Sequence, residues 1–146
     1  MKWKLLTVGK PSLDYARRGV AEYEKRLTRY VKLERVTVKE RGQETNSRAQ
    51  AEQLSDCDRV IVLDERGVDL TTAQLAAQID QWELAGTKRV ALVIGGADGH
   101  TDEMRERGDP LLRLSRMTMQ HELALVVLLE QLYRAYTVKR GEPYHR

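Results

Sequence analysis

The sequence predicts an α/β fold, a mostly parallel sheet flanked by helices. Two observations carry this expectation. β-prone runs alternate with segments of helical periodicity along the whole chain. Two of those runs, "DRVIVLD" and "RVALVIGG", are almost wholly apolar, as strands covered on both faces are in parallel sheets.

In chain order, "KWKLLTV" reads as the first strand, ended by Gly9-Lys10-Pro11. Ser12 is placed as the N-cap of a helix whose apolar side runs Leu13, Ala16, Val20, Tyr23, Leu27. Leu33 to Val38 forms the second strand, and a polar segment from Arg41 to Ser47 leads into a helix around "SRAQAEQL". "DRVIVLD" is the third strand. Thr71 and Gln74 make a T-x-x-Q capping box that opens a helix through Leu84, stopped by Ala85-Gly86. "RVALVIGG" is the fourth strand, "ADGHTDEMRERGDP" a loop with a short helix, and "LLRLSRMTM" a fifth strand entering a loop. The last helix spans His121 to Thr137. No repeat or composition break divides the 146 residues, so one domain over 1–146 is expected.

A net charge of +3 permits a polyanionic partner without requiring one. Cys57 is the only cysteine, which excludes an intramolecular disulfide framework and suits a reducing cytoplasm. The longest apolar run, Leu123 to Leu129, falls short of the roughly 18 residues of a membrane span. "MKWKLLTVGK" lacks the apolar core of a signal peptide, so a cytoplasmic protein without membrane contact is expected. His100, His121, His145 and Cys57 have no metal-ligand spacing, and no metal is expected.

Chemistry concentrates in three places. "VIGGADG" puts Gly95 and Gly96 at a strand exit, where ligands bind in open α/β sheets. Its spacing is neither a dinucleotide fingerprint nor a P-loop, and a tight turn alone accounts for it equally well. "LSRMTMQHE" interleaves Ser115, Thr118 and Gln120 with Met117 and Met119, which suits a ligand with a flat apolar face and polar edges, or a methionine-filled core edge. The tail "RGEPYHR" ends on groups that stack, shuttle a proton and grip an anion.

Together "LLTVGK", "LDERG", "VIGGADG", "LSRMTMQHELALVVLLEQLYRAY" and "RGEPYHR" resemble, in order and from end to end, the RlmH family of small SPOUT-class methyltransferases. The resemblance implies a C-terminal trefoil knot, a homodimer and S-adenosyl-L-methionine as methyl donor. It implies N3-methylation of a pseudouridine in 23S ribosomal RNA, on the assembled ribosome. Carried over by position, the cofactor site comprises Leu63, Gly96, Ser115, Arg116, Met117, Thr118, Met119 and Gln120. The catalytic tail comprises Tyr144, His145 and Arg146. In that reading Tyr144 packs on the target base, His145 accepts the proton leaving the attacking nitrogen, and Arg146 with Lys139 holds RNA phosphate. Leu125 departs from the family, many of whose members carry an arginine there. That departure supports an alternative, a ribosome- or RNA-binding protein that kept the fold without methyl transfer. Residues 123–129 are apolar on every side of their helix, which calls for a cover beyond one sheet face, met by the same helix of a second copy or else by the rest of its own chain.

Overall fold

The computed structural model describes residues 1–145, and of residue 145 the backbone alone. Five strands form one sheet: β1 (Lys2–Val8), β2 (Lys32–Val38), β3 (Arg59–Asp69), β4 (Arg89–Ile94) and β5 (Leu111–Arg113). Their order is β2-β1-β4-β3-β5, and all four pairings are parallel. The helices are α1 (Asp14–Leu27), α2 (Gln43–Glu52), α3 (Thr72–Leu84), α4 (Asp102–Arg107) and α5 (His121–Lys139). A short 3₁₀ turn, Pro143–His145, ends the described chain.

Parallel strands need crossovers, and these put helices on both faces. On one face α5 packs between α1 and α3, over a core that includes Trp3, Leu5, Ile79, Leu92, Leu129 and Leu132. Trp3 Nε1 donates to the Tyr136 hydroxyl at 2.8 Å, joining β1 to α5 inside that core. The other face is covered by α2 and α4, through Leu6, Leu54, Val62, Ala91, Val93 and Met104. None of the helices among the described residues is long and apolar enough to cross a membrane.

Three elements differ from expectation. Ser12 is not the cap of α1. Its N–H and hydroxyl donate to the buried carboxylate of Glu122, and Leu13 occupies the cap position without a side-chain bond. α2 starts at Gln43, four residues early, because its first turn is organised by polar contacts: Asn46 Oδ1 accepts from the N–H of Arg41, and its amide donates to Glu40. β3 continues past Asp64 to Asp69, since a register shift lets Val68 and Asp69 pair again with Leu112 and Arg113. The Thr71 capping box forms with both of its hydrogen bonds.

Candidate active site

The carboxyl ends of β3, β4 and β5 open onto one cavity of about 540 Å³. That volume lies in the range of small-molecule sites. Leu63 comes from β3, Gly95 to Gly99 from the exit of β4, and residues 114–120 from the segment between β5 and α5. The exit of β4 turns back on itself: Gly99, with φ of 72°, donates its N–H to the Gly96 carbonyl at 3.0 Å. A Cβ on Gly96 would lie 2.9 Å from Glu40 Oε1 and 3.2 Å from Val8 Cγ1. A side chain at this position would point behind the turn, and the Glu40 carboxylate and Val8 would have to give way to admit it.

His100 lies at the cavity floor, 1% exposed, and neither ring nitrogen has a hydrogen-bond partner. Burial lowers its pKa, against opposing pulls from Asp64 and from the Leu63 and Val93 carbonyls, which lie near the ring without completing well-formed hydrogen bonds, so the neutral imidazole is favoured at pH 7. The Asp64 carboxylate, also lining the cavity, pairs with Arg105 at 3.4 Å, and Arg105 donates to the His100 carbonyl at 2.6 Å. A lone histidine within a polar loop gave no local signal of this position.

Along 114–120 the structure brings Ser115, Met117, Thr118, Met119 and Gln120 to the cavity wall, with Leu63 and Gly96 opposite. Ser115 Oγ accepts from the Met117 N–H at 3.0 Å and fixes the bend of the loop. Gln120 doubles as the N-cap of α5: its Oε1 accepts from the N–H groups of Glu122 and Leu123, both at 2.9 Å. Arg116 is the exception. Its side chain is exposed and reaches Asp69 at 3.6 Å, away from the cavity lining. Leu125 is buried and faces Gly9 to Pro11, so its position belongs to the core that seats α5 on β1.

The tail lies elsewhere. Tyr144 meets Tyr133 edge-on with centroids 4.7 Å apart, its hydroxyl donates to Glu130 at 3.1 Å, and the Arg134 guanidinium sits 5.0 Å from its ring. Glu130, which its hydroxyl meets, is six residues along α5 from Ala124 at the cavity, about 9 Å of helix. Tyr144 thus packs on its own chain, not in its own cavity. Lys139, expected on RNA phosphate, is paired with Asp80 and with Glu83 at 3.4 Å. Arg146 and the His145 imidazole lie outside the described residues and groups.

Comparison with known proteins decides the family. The model of a family described as "Predicted SPOUT methyltransferase" matches residues 1–145. The chain belongs to the SPOUT methyltransferases. It is 47% identical to Ribosomal RNA large subunit methyltransferase H of Thermus thermophilus, over all of this chain and 99% of that one. A second relative of the same name, from Deinococcus deserti, is 45% identical over the full length of both. Among solved structures, a probable methylase family protein of Haemophilus influenzae aligns with a TM-score of 0.62 at 16% identity, covering 99% of this chain and 70% of that one. A putative methyltransferase of Legionella pneumophila, solved with bound SAM, aligns at 0.52 and 12% identity, covering 93% and 66%. At such identities these two structures speak for the fold.

Proposed function

We propose that this protein transfers a methyl group from S-adenosyl-L-methionine to N3 of a pseudouridine in 23S ribosomal RNA, on the assembled ribosome and as a homodimer. What carries the reading is that the 115–120 loop and the glycine turn converge on one cavity, in a chain 47% identical over its whole length to a ribosomal RNA large subunit methyltransferase.

The donor set suits the cofactor. Leu63, Ile94, Met117 and Met119 offer apolar walls for a purine, and the turn and loop offer main-chain polar groups for its edge. The Asp64 and Glu65 carboxylates complement a positively charged ligand. When bound, the cofactor supplies a methyl group already activated on a sulfonium. The chain's own residues then have to align the reacting atoms and exclude water, and alignment can contribute about 7–11 kcal/mol. His145 accepts the proton that leaves the pseudouridine nitrogen, and Arg146 holds phosphate beside it.

Tyr144 is not among the residues that line its own cavity and packs instead on Tyr133 and Glu130 of α5, so the reading assigns each tail to the cavity of the partner subunit. Leu13, Tyr15 and Leu123 are exposed apolar groups at the starts of α1 and α5, and they offer a surface for an isologous contact. The trefoil knot fits the path of the chain, which leaves edge strand β5 and returns to lay α5 between α1 and α3. Leu125 is buried beside Gly9 to Pro11, outside the cavity lining, and whole-length identity to a ribosomal RNA methyltransferase counts against the binding-only alternative. Labelled S-adenosyl-L-methionine and ribosomes, followed by nucleoside mapping of the 23S RNA, test the reading. N3-methylated pseudouridine is the expected product, and cofactor binding without any transfer would overturn it.

A further inference from the structure

The opposite end of the sheet, where the strands begin, carries a second feature. A cleft of about 940 Å³ opens there between the start of β1, the α1–β2 connection and the α3–β4 connection. It continues past Met1 and Tyr30 into a smaller cleft reaching Arg140, at the end of α5. Nothing in the cofactor chemistry uses this end.

Its charge balance is one-sided. The acids present are already engaged. Asp58 accepts from the N–H groups of Lys88 and Arg89 at 2.8 and 3.0 Å, which lowers its pKa. Asp56 is shared between Lys4 at 2.8 Å and Arg89 at 2.9 Å, and Glu34 meets Lys2 at 3.2 Å. Arg29, Lys32, Lys88 and Arg140 are all exposed, and none has a carboxylate within 4.0 Å among the described residues. Two of them are also held in place. The guanidinium groups of Arg29 and Arg140 lie 5.6 and 5.4 Å from the ring of Tyr30. That ring is stacked on Tyr136 at 5.6 Å and 10°, and its hydroxyl donates to Glu142 at 2.7 Å. Helix C-termini attract cations and account for Arg140 at the end of α5 and for Arg29 just beyond α1. They do not account for Lys32, the first residue of a strand, or for Lys88 in a connection.

Resting on the methyltransferase reading, we infer that this basic cleft is a second RNA contact, which grips the phosphate backbone of the ribosomal RNA away from the target nucleotide. Unpaired, ring-supported cations around an open cleft match a backbone with regularly spaced charges, and no base-reading pocket is needed. The contact contributes affinity and orientation, and it leaves the cofactor site untouched.

Charge reversal tests this. Arg29→Glu with Lys88→Glu is compared with Arg48→Glu, which lies on α2 outside the cleft. Binding to ribosomes, the substrate of the proposed reaction, is measured across a salt series. Each lost phosphate contact should flatten the log–log salt slope by roughly 0.7–0.9. The double variant should therefore bind at least tenfold more weakly at low salt, and Arg48→Glu should stay close to wild type. S-adenosyl-L-methionine affinity, measured on the same preparations, should be unchanged in both, which shows that the fold is intact. Wild-type ribosome affinity and slope retained in the double variant, or an equal loss in Arg48→Glu, would overturn the inference. Failure of the wild type to methylate ribosomes would instead remove the enzymatic reading, while the ribosome-binding comparison still stands or falls separately.

Discussion

The Tyr144 hydroxyl donates to Glu130 Oε1 at 3.1 Å, and this bond ties the tail back onto the helix it has just left. Glu130 also accepts from Arg134 Nε at 2.9 Å, so one carboxylate fixes both the ring and the cation above it. Burial and the neighbouring Tyr23 and Glu130 raise the Tyr144 pKa, which keeps the hydroxyl a donor at every working pH.

On the proposed function the tail takes part in transfer, and Tyr144 is its anchor on α5. Tyr144→Phe should remove one hydrogen bond while keeping the edge-on contact with Tyr133, and methyl transfer should fall several-fold. Tyr144→Ala should fall by a further order of magnitude as the ring contact, about 0.5–1.5 kcal/mol for an aromatic pair, is lost with the packing. Cofactor affinity should hold in both. Single-turnover transfer and calorimetry separate the two quantities, and loss of cofactor affinity in Tyr144→Phe would show that the ring serves the cavity and not the tail.

Glu122 carries a pH-dependent share of stability. Its carboxylate accepts from the Leu13 N–H, the Ser12 hydroxyl and the Ser12 N–H, and those bonds lower its pKa below the ordinary 4.5. A lowered carboxylate pKa means the unfolded chain binds the proton more readily. The contribution is present above pH 4.5 and is lost as pH falls through the folded value. Glu122→Gln should cost about 1–3 kcal/mol at pH 7, because buried N–H groups lose a charged acceptor. Urea unfolding at pH 7 and pH 3.5 checks this, and the gap between wild type and variant should narrow at the lower pH.

What could be read from residues alone follows the range of the forces involved. The Thr71–Gln74 box and the apolar run of β4 are local, and both stand where their residues placed them. The extension of β3 through "ERGVD" was hidden, because polar residues pair there only through a register shift against β5. Ser12 looked like a cap because nothing nearby in sequence shows that Glu122, 110 residues on, takes its donors. The cavity wall was legible as a set of loops, yet Arg116 turns out to Asp69 and His100 turns in, and both depend on partners distant in sequence.

His100 should respond to the cofactor directly. Its pKa is lowered from 6.5 by burial, so the unfolded state gains the proton first and stability declines as pH falls from 6.5 toward the folded value. His100→Gln should remove that decline. In the wild type, the ring nitrogen resonances should be mainly those of a neutral imidazole at pH 7 and move on addition of S-adenosyl-L-methionine, which fills the cavity that the ring lines. Nitrogen shifts that ignore the cofactor would take His100 out of the site.

Gly96 should be intolerant for a reason seated behind the cavity. Even Gly96→Ala puts a methyl 2.9 Å from Glu40 Oε1, a carboxylate held by Asn46 and by the Gly42 N–H at 3.0 Å. A cost of about 1–3 kcal/mol is expected for such overpacking. Adding Glu40→Ala should recover part of it, leaving the 3.2 Å contact with Val8. Chemical denaturation of the four proteins in the cycle gives the coupling, and strict additivity would show that Glu40 is not what the methyl meets.

The reach of the tail allows a decisive test of assembly. In this chain Tyr144 packs beside Tyr133, while the cavity opens at the far end of α5, near His121 and Ala124. If the tail serves the partner's cavity, a site needs an intact cavity from one subunit and an intact tail from the other. A chain shortened by its last four residues, "PYHR", should bind cofactor and transfer nothing. A chain with a bulky Leu63→Trp in the cavity wall should keep its tail and bind no cofactor. Each homodimer has no complete site. In a mixed dimer the shortened subunit offers its cavity and the blocked subunit its tail, so one site of two is restored. After refolding an equal mixture, half of the dimers are mixed, and about one quarter of the wild-type rate should return. A two-fold contact is required for any recovery, since isolated chains cannot share a site. A mixture as inactive as its parents, with mixed dimers present by mass spectrometry, would mean that each tail serves its own cavity. A wild-type protein that sediments as a monomer at micromolar concentration would exclude the shared site altogether.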